Sequence, residues 1–110
     1  MIVLAPTREL ALRVTKEIEK LKHYDSEFKI VTVYGGVNIE EQVRQLRNGV
    51  DIFVGTTGRV LDHIERGNID FQDLKTFVLD EADQMLKLGF KEDIDRIMLK
   101  IKQECDMRKL

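Results

Sequence analysis

The chain alternates short apolar runs with stretches whose apolar residues recur at helical spacing. Ile2 to Ala5 is a compact apolar run that ends at Pro6, which has no N–H to give to a sheet ladder. Leu10, Val14, Ile18 and Leu21 then recur at steps of four, four and three, which predicts a helix from Arg8 to about Lys22 with Thr7 as its N-cap. Lys29 to Tyr34 is rich in β-branched residues and reads as a second strand, broken by Gly35-Gly36. Ile39, Val43 and Leu46 mark a short helix closed by Asn48-Gly49. Asp51 to Gly55 is a third strand, and Thr56 to Arg66 a helix with Val60, Leu61 and Ile64 inward, closed by Gly67. Leu74 to Asp80 is a fourth strand with Phe77-Val78-Leu79 as its buried centre. A short helix from Glu81 to Lys87 stops at Gly89. The last helix runs from Lys91 to about Glu104, with Ile94, Ile97, Met98 and Ile101 on one face and Glu92–Arg96 as an ion pair along it.

Short strands alternating with helices imply an α/β domain of parallel βαβ units with right-handed crossovers. Ligands of such sheets sit at the carboxyl ends of the strands. Those ends carry Pro6-Thr7-Arg8, Gly35-Gly36, Thr56-Thr57-Gly58-Arg59 and Asp80-Glu81-Ala82-Asp83. Every unusual cluster in the sequence is thereby predicted on one edge.

Composition narrows the class without naming a partner. The 110 residues are 43% hydrophobic and 35% charged, which suits one soluble globular domain. Lys and Arg number 18 against 20 for Asp and Glu, a net charge of -2 that excludes a strongly basic nucleic-acid coat but leaves local phosphate sites open. The single cysteine, Cys105, rules out an intrachain disulfide and reads as a helix residue without an activating partner. No apolar run approaches the ~18 residues of a membrane span, and Met1 to Leu4 lacks the basic leader of a signal peptide, so an intracellular site is expected. His23 and His63 have no partner at metal-ligand spacing and read as solvated; Met85, Met98 and Met107 read as packing.

The clusters carry chemistry of two kinds. Thr7 and Thr56 each stand at a predicted helix start beside free backbone N–H groups, with Arg8 and Arg59 one to three residues further on, and a helix N-terminus with an arginine suits a phosphate. Gly35-Gly36 lets a ligand approach the backbone closely. Three such sites in a row fit a nucleic-acid backbone, while caps and turns account for each cluster taken alone. Adjacent carboxylates at the end of a buried strand, Asp80-Glu81, suit a hydrated Mg²⁺ and an attacking water; a solvated helix start suits them equally.

Taken together, Ala5-Pro6-Thr7-Arg8-Glu9-Leu10, Tyr34-Gly35-Gly36, Val54-Gly55-Thr56-Thr57-Gly58-Arg59 and Val78-Leu79-Asp80-Glu81-Ala82-Asp83 resemble, in order and spacing, the motifs of DEAD-box RNA helicases. Arg47 to Ile52 and Asp83 to Leu86 further resemble the nucleolar Gu-type members, which favours the nucleolus while leaving the nucleus at large and the cytoplasm open. The resemblance implies a RecA-like three-layer sandwich. It implies that Pro6, Thr7, Arg8, Gly35, Gly36, Thr56, Gly58 and Arg59 contact the backbone of single-stranded RNA. Asp80 is implied to hold the Mg²⁺ of Mg-ATP through water, Glu81 to activate the hydrolytic water, and Asp83 to couple nucleotide state to neighbouring motifs.

Departures from the family pattern set further expectations. Position 57 is threonine where the family has proline, a change that keeps the helix start. No Gly-x-x-x-x-Gly-Lys-Ser/Thr and no Ser-Ala-Thr occurs in the 110 residues, so the chain reads as an incomplete first RecA-like domain of about four strands, separated from the remainder of the helicase core. Such a piece is expected neither to bind ATP tightly nor to hydrolyse it, and to bind RNA weakly. The strand from Thr76 to Asp80 is expected to form an exposed apolar edge that pairs with a second copy or is covered by a terminal segment. A non-catalytic RNA-binding module, and a Mg²⁺-dependent phosphoacceptor domain using Asp80, are the alternative readings.

Overall fold

The computed structural model describes residues 1–21, 28–69 and 76–108, with side chains up to residue 103. The elements follow the order β1 (Ile2–Ala5), α1 (Arg8–Lys20), β2 (Ile30–Val33), α2 (Ile39–Arg47), β3 (Ile52–Thr56), α3 (Thr57–Glu65), β4 (Phe77–Leu79), α4 (Ala82–Lys87) and α5 (Lys91–Arg108). The four strands form one parallel sheet in the order β2-β3-β1-β4. The expected α/β architecture is present, and each expected element appears within a few residues of its predicted bounds. Leu74, Lys75 and His23 lie outside the described residues, as do the side chains of Cys105 and Met107.

Strand alternation divides the core into two layers. Val3, Ala5 and Val54 face α1, which packs Leu10, Ala11, Val14 and Ile18 onto them. Ile2, Leu4, Val31, Val33 and Phe53 face the other way, against Leu46 of α2, Val60, Leu61 and Ile64 of α3, Met85 of α4, and Ile94 and Ile97 of α5. Right-handed crossovers dictate this division. The connection from β1 to β2 crosses the sheet in one direction. The connections from β2 to β3 and from β3 to β4 cross back, so their helices lie on the opposite face. The helices that follow the neighbouring strands β1 and β3 therefore leave on opposite faces, which opens a crevice at the carboxyl ends of those strands.

Two close fits hold the sheet to its helices. Thr15 of α1 donates its hydroxyl to the Ala11 carbonyl at 3.0 Å, and its oxygen lies 2.7 Å from the hydroxyl of Thr32 on β2. Gly55 of β3 is buried where a side chain has no room: a Cβ there meets Val33 Cγ2 at 2.7 Å, the Val33 carbonyl at 3.0 Å, and Val60 Cγ2.

Several side chains depart from the sequence reading. Met98 is 49% exposed rather than inward, because α5 turns Ile94, Ile97 and Ile101 to the core instead. Arg96 pairs across to Glu65 of α3 instead of along its own helix to Glu92. The buried stripe of α2 runs through Gln42 and Leu46, with Val43 half-buried. Leu21 is the C-cap of α1 and is 57% exposed. Val78 is 37% exposed, so β4 is an apolar outer strand and not a buried centre; it pairs with β1 on one side only among the described residues.

Candidate functional site

Strand register brings the clusters level with one another. Ala5 pairs with Thr56, Val33 with Gly55, and Leu4 with Leu79, while the Asp80 N–H donates to the Leu4 carbonyl at 2.9 Å. Gly35-Gly36, Thr56 to Arg59, Pro6 to Arg8, and Asp80-Glu81 thus emerge side by side from β2, β3, β1 and β4 along one edge. The single-edge arrangement expected from the sequence is present.

At the start of α1, Thr7 is the N-cap, and its Oγ1 accepts from the Leu10 N–H at 3.3 Å, so the cap does not use the hydroxyl proton. Arg8 is exposed, with its guanidinium carbon 4.7 Å from the centre of the Tyr34 ring. A cation over an exposed aromatic face is worth about 0.5–1 kcal/mol, enough to bias the arginine toward the β2 end of the edge. Pro6 is buried and serves by ending β1. At the start of α3, Thr56 is the N-cap in extended conformation, with no hydrogen bond from its side chain to the first turn. Thr57 is 1% exposed and its hydroxyl points to Met85 Sδ at 3.9 Å, so threonine fits where the related motif has proline. Gly58 and both loop glycines are exposed, and a Cβ at Gly35, Gly36 or Gly58 would meet nothing. Packing does not require glycine at those three positions, although the +85° φ of Gly36 favours it there. The bare backbone is open to a ligand.

Behind this surface lies a polar network that the sequence reading missed. Gln42 is 4% exposed; its Nε2 donates to the Tyr34 carbonyl at 3.0 Å. Its Oε1 accepts from Arg59 Nη1 at 3.2 Å and from His63 Nε2 at 2.9 Å. Arg59 Nη1 also donates to the Val37 carbonyl at 3.1 Å. Asn68 Nδ2 lies 3.1 Å from His63 Nδ1 and donates to it. An amide oxygen only accepts, so His63 carries its proton on Nε2 and is neutral. Burial, reinforced by the positive charge of Arg59, holds its pKa below the usual histidine value. Its ring is fully buried and meets Phe53 edge-on at 6.4 Å, which corrects the expectation of a solvated histidine. Spacing carried the signal: position 63 is three beyond Val60 on the inward face of α3, and position 42 is four before Leu46 on that of α2.

Asp80 is half-buried and Glu81 exposed. Neither carboxylate has a hydrogen-bond or ion-pair partner among the described residues, and both border an open groove of about 470 Å³ walled by Leu10, Val14 and Ile18 of α1, with Arg13 and Glu17. Glu81 adopts φ 57° and ψ 50°, the left-handed region, and is alone among the described non-glycine residues in having positive φ. That conformation costs about 1–3 kcal/mol and turns the chain sharply from β4 into α4. Asp83 is exposed in the first turn of α4. No group of three His, Cys, Asp or Glu among the described residues could hold a metal ion.

The sequence matches the DEAD/DEAH box helicase family over residues 1–109. The chain belongs to that family. It is 46% identical over 101 residues to the ATP-dependent RNA helicase DeaD of Haemophilus influenzae, covering 92% of this chain and 16% of the relative. It is 50% identical over 97 residues to a probable ATP-dependent RNA helicase of Methanocaldococcus jannaschii, covering 88% of this chain and 26% of that protein. Among solved structures, a DEAD box protein from the hyperthermophile Methanococcus jannaschii superposes with a TM-score of 0.84 at 48% identity, covering 90% of this chain and 27% of that one. A yeast DEAD-box splicing factor superposes with a TM-score of 0.86 at 36% identity, covering 94% of this chain and 24% of that one. The fold is therefore that of a RecA-like DEAD-box domain, and the chain spans about a quarter or less of these curated relatives. Among the described residues, no helix is long and apolar enough to cross a membrane.

Proposed function

We propose that this chain is the portion of an ATP-dependent RNA helicase that grips the sugar–phosphate backbone of single-stranded RNA. The observation that carries the reading is the level alignment of Thr7 and Arg8, Gly35 and Gly36, and Thr56, Gly58 and Arg59 along one edge. Hydroxyl, guanidinium and bare amide groups in a row suit successive phosphates. Contacts to phosphates position a strand without reading its bases, so binding through this edge is independent of sequence. In the parent helicase, Asp80 and Glu81 would hold the Mg²⁺ of Mg-ATP and orient the hydrolytic water, and Asp83 would couple nucleotide state to neighbouring motifs. Hydrolysis then drives local unwinding of a duplex. The outer edge of β4 is where a further strand of the helicase core, or a second copy of the chain, adds to the sheet.

The test is fluorescence anisotropy of labelled single-stranded RNA against salt. Neutralisation of two phosphates by Arg8 and Arg59 predicts a log–log salt slope of about -1.4, the same for different base compositions. A salt-independent or strongly base-dependent affinity contradicts the reading. The 110 residues contain no phosphate-loop lysine, so isothermal titration with Mg-ATP is expected to show no micromolar binding. Micromolar affinity would overturn that expectation.

A further inference from the structure

Among the described residues, Gln42 alone hydrogen-bonds to the β2 loop, Arg59 and His63 at once. It carries none of the donors that a phosphate would meet, because it is 4% exposed beneath the edge. Its amide is fixed in one orientation, since only its nitrogen can donate to the Tyr34 carbonyl and only its oxygen can accept from Arg59 and His63. From His63, the chain of hydrogen bonds passes on to Asn68. Among the described residues, no buried side-chain nitrogen or oxygen lacks a partner, so the network is complete. Complete buried networks hold one geometry, and losing one member leaves others unpaired.

Two loops are tied together by this arrangement. Arg59 Nη1 bridges Gln42 and the Val37 carbonyl, so one guanidinium clasps the far side of the Gly35-Gly36 turn. Gln42 clasps the near side at Tyr34, whose ring in turn lies under Arg8. The remaining N–H groups of Arg59 have no partner among the described residues.

We propose that Gln42, backed by His63, is a positioning residue that fixes Arg59 and the Gly35-Gly36 turn in a single geometry for consecutive RNA phosphates. It acts through Arg59 and the turn and touches no RNA itself. The inference rests on the RNA-binding reading above. It also gives Arg59 two tasks, one toward the turn and one toward RNA, which lysine cannot combine because it lacks the planar fork.

The test uses the 110-residue chain, a labelled single-stranded RNA and three variants: Gln42→Met, Arg59→Lys and their combination. Methionine fills a similar volume without the hydrogen bonds. Both single variants are expected to weaken RNA binding about tenfold, the scale of a misplaced charge-assisted contact. The combination is expected to be little weaker than either, because both break one linkage. In ¹⁵N–¹H spectra without RNA, the Gly35 and Gly36 amides are expected to shift in Gln42→Met. Wild-type chain that fails to bind RNA overturns the functional reading itself. Wild-type binding with unchanged affinity in Arg59→Lys overturns the positioning role alone, and so do additive losses in the combination. Arg59 is half-exposed, so Arg59→Lys decides the matter even if Gln42→Met fails to fold.

Discussion

Gly55→Val is expected to abolish the cooperative fold, and Gly55→Ala to lower stability by about 1–3 kcal/mol. Gly55 lies in β3 directly across from Val33 of β2, with Val60 of α3 above it. A single methyl there meets Val33 Cγ2 at 2.7 Å and the Val33 carbonyl at 3.0 Å. The side chains can rotate or shift, but the carbonyl belongs to a sheet ladder and cannot. Valine adds two further methyl groups to a site with no room for the first. Against a total stability of about 5–15 kcal/mol, that overpacking is decisive. Urea unfolding followed by far-UV circular dichroism measures it. The direct check on the cause is Val60→Ala in the Gly55→Ala background, which is expected to recover part of the loss because the two sites are in contact. A Gly55→Ala midpoint equal to that of the wild type contradicts the packing argument. The consequence reaches function, since Gly55 is followed at once by Thr56, the N-cap of α3 and a member of the proposed RNA edge.

Charge reversal at the edge carries the second large effect. Arg8→Glu is expected to abolish salt-sensitive RNA binding while leaving the stability to urea within about 0.5 kcal/mol of the wild type, because Arg8 is exposed and stacks on the Tyr34 ring at the surface. Arg59→Glu is expected to abolish binding too, and to cost stability as well, because it sets a carboxylate against Gln42 Oε1 and the Val37 carbonyl. The contrast between the two variants separates the arginine that only faces outward from the one that also holds the turn. Retained binding in both moves the RNA site away from this edge.

The order of elements was legible because each strand is an apolar run and each helix repeats its apolar residues at steps of three and four. The clustering at one edge followed from βαβ logic alone, and register then set Ala5 against Thr56 and Val33 against Gly55. Strand order was not legible. β1 pairs with β3 and β4, both distant in sequence, and such pairing leaves no local trace. Gln42 went unnoticed and His63 reads as solvated because a polar side chain on an inward face gives no sign of burial until its partner is known, and here the partners lie 21 residues apart on different helices. Met98 was misread for the opposite reason: an apolar residue at helical spacing reads as core, but α5 rests on α3 through a stripe too narrow to cover it. The clusters on the edge suggested a ligand without fixing it. The order of four motifs along the chain, and the match over residues 1–109, identified the family. A net charge of -2 gave no hint of RNA, because the proposed contacts are helix starts, glycine amides and two arginines rather than a basic surface.

In the proposed function, one edge of this sheet receives a single RNA strand along its backbone. Titrating a uniform single-stranded RNA into the ¹⁵N-labelled chain tests it most directly. The amides of Thr7, Arg8, Gly35, Gly36, Thr56, Gly58 and Arg59 are expected to shift together, in proportion to one binding curve that weakens with salt, while those of α5 stay fixed. Shifts concentrated on α4 and α5, with the strand-end amides unmoved at saturation, would contradict it.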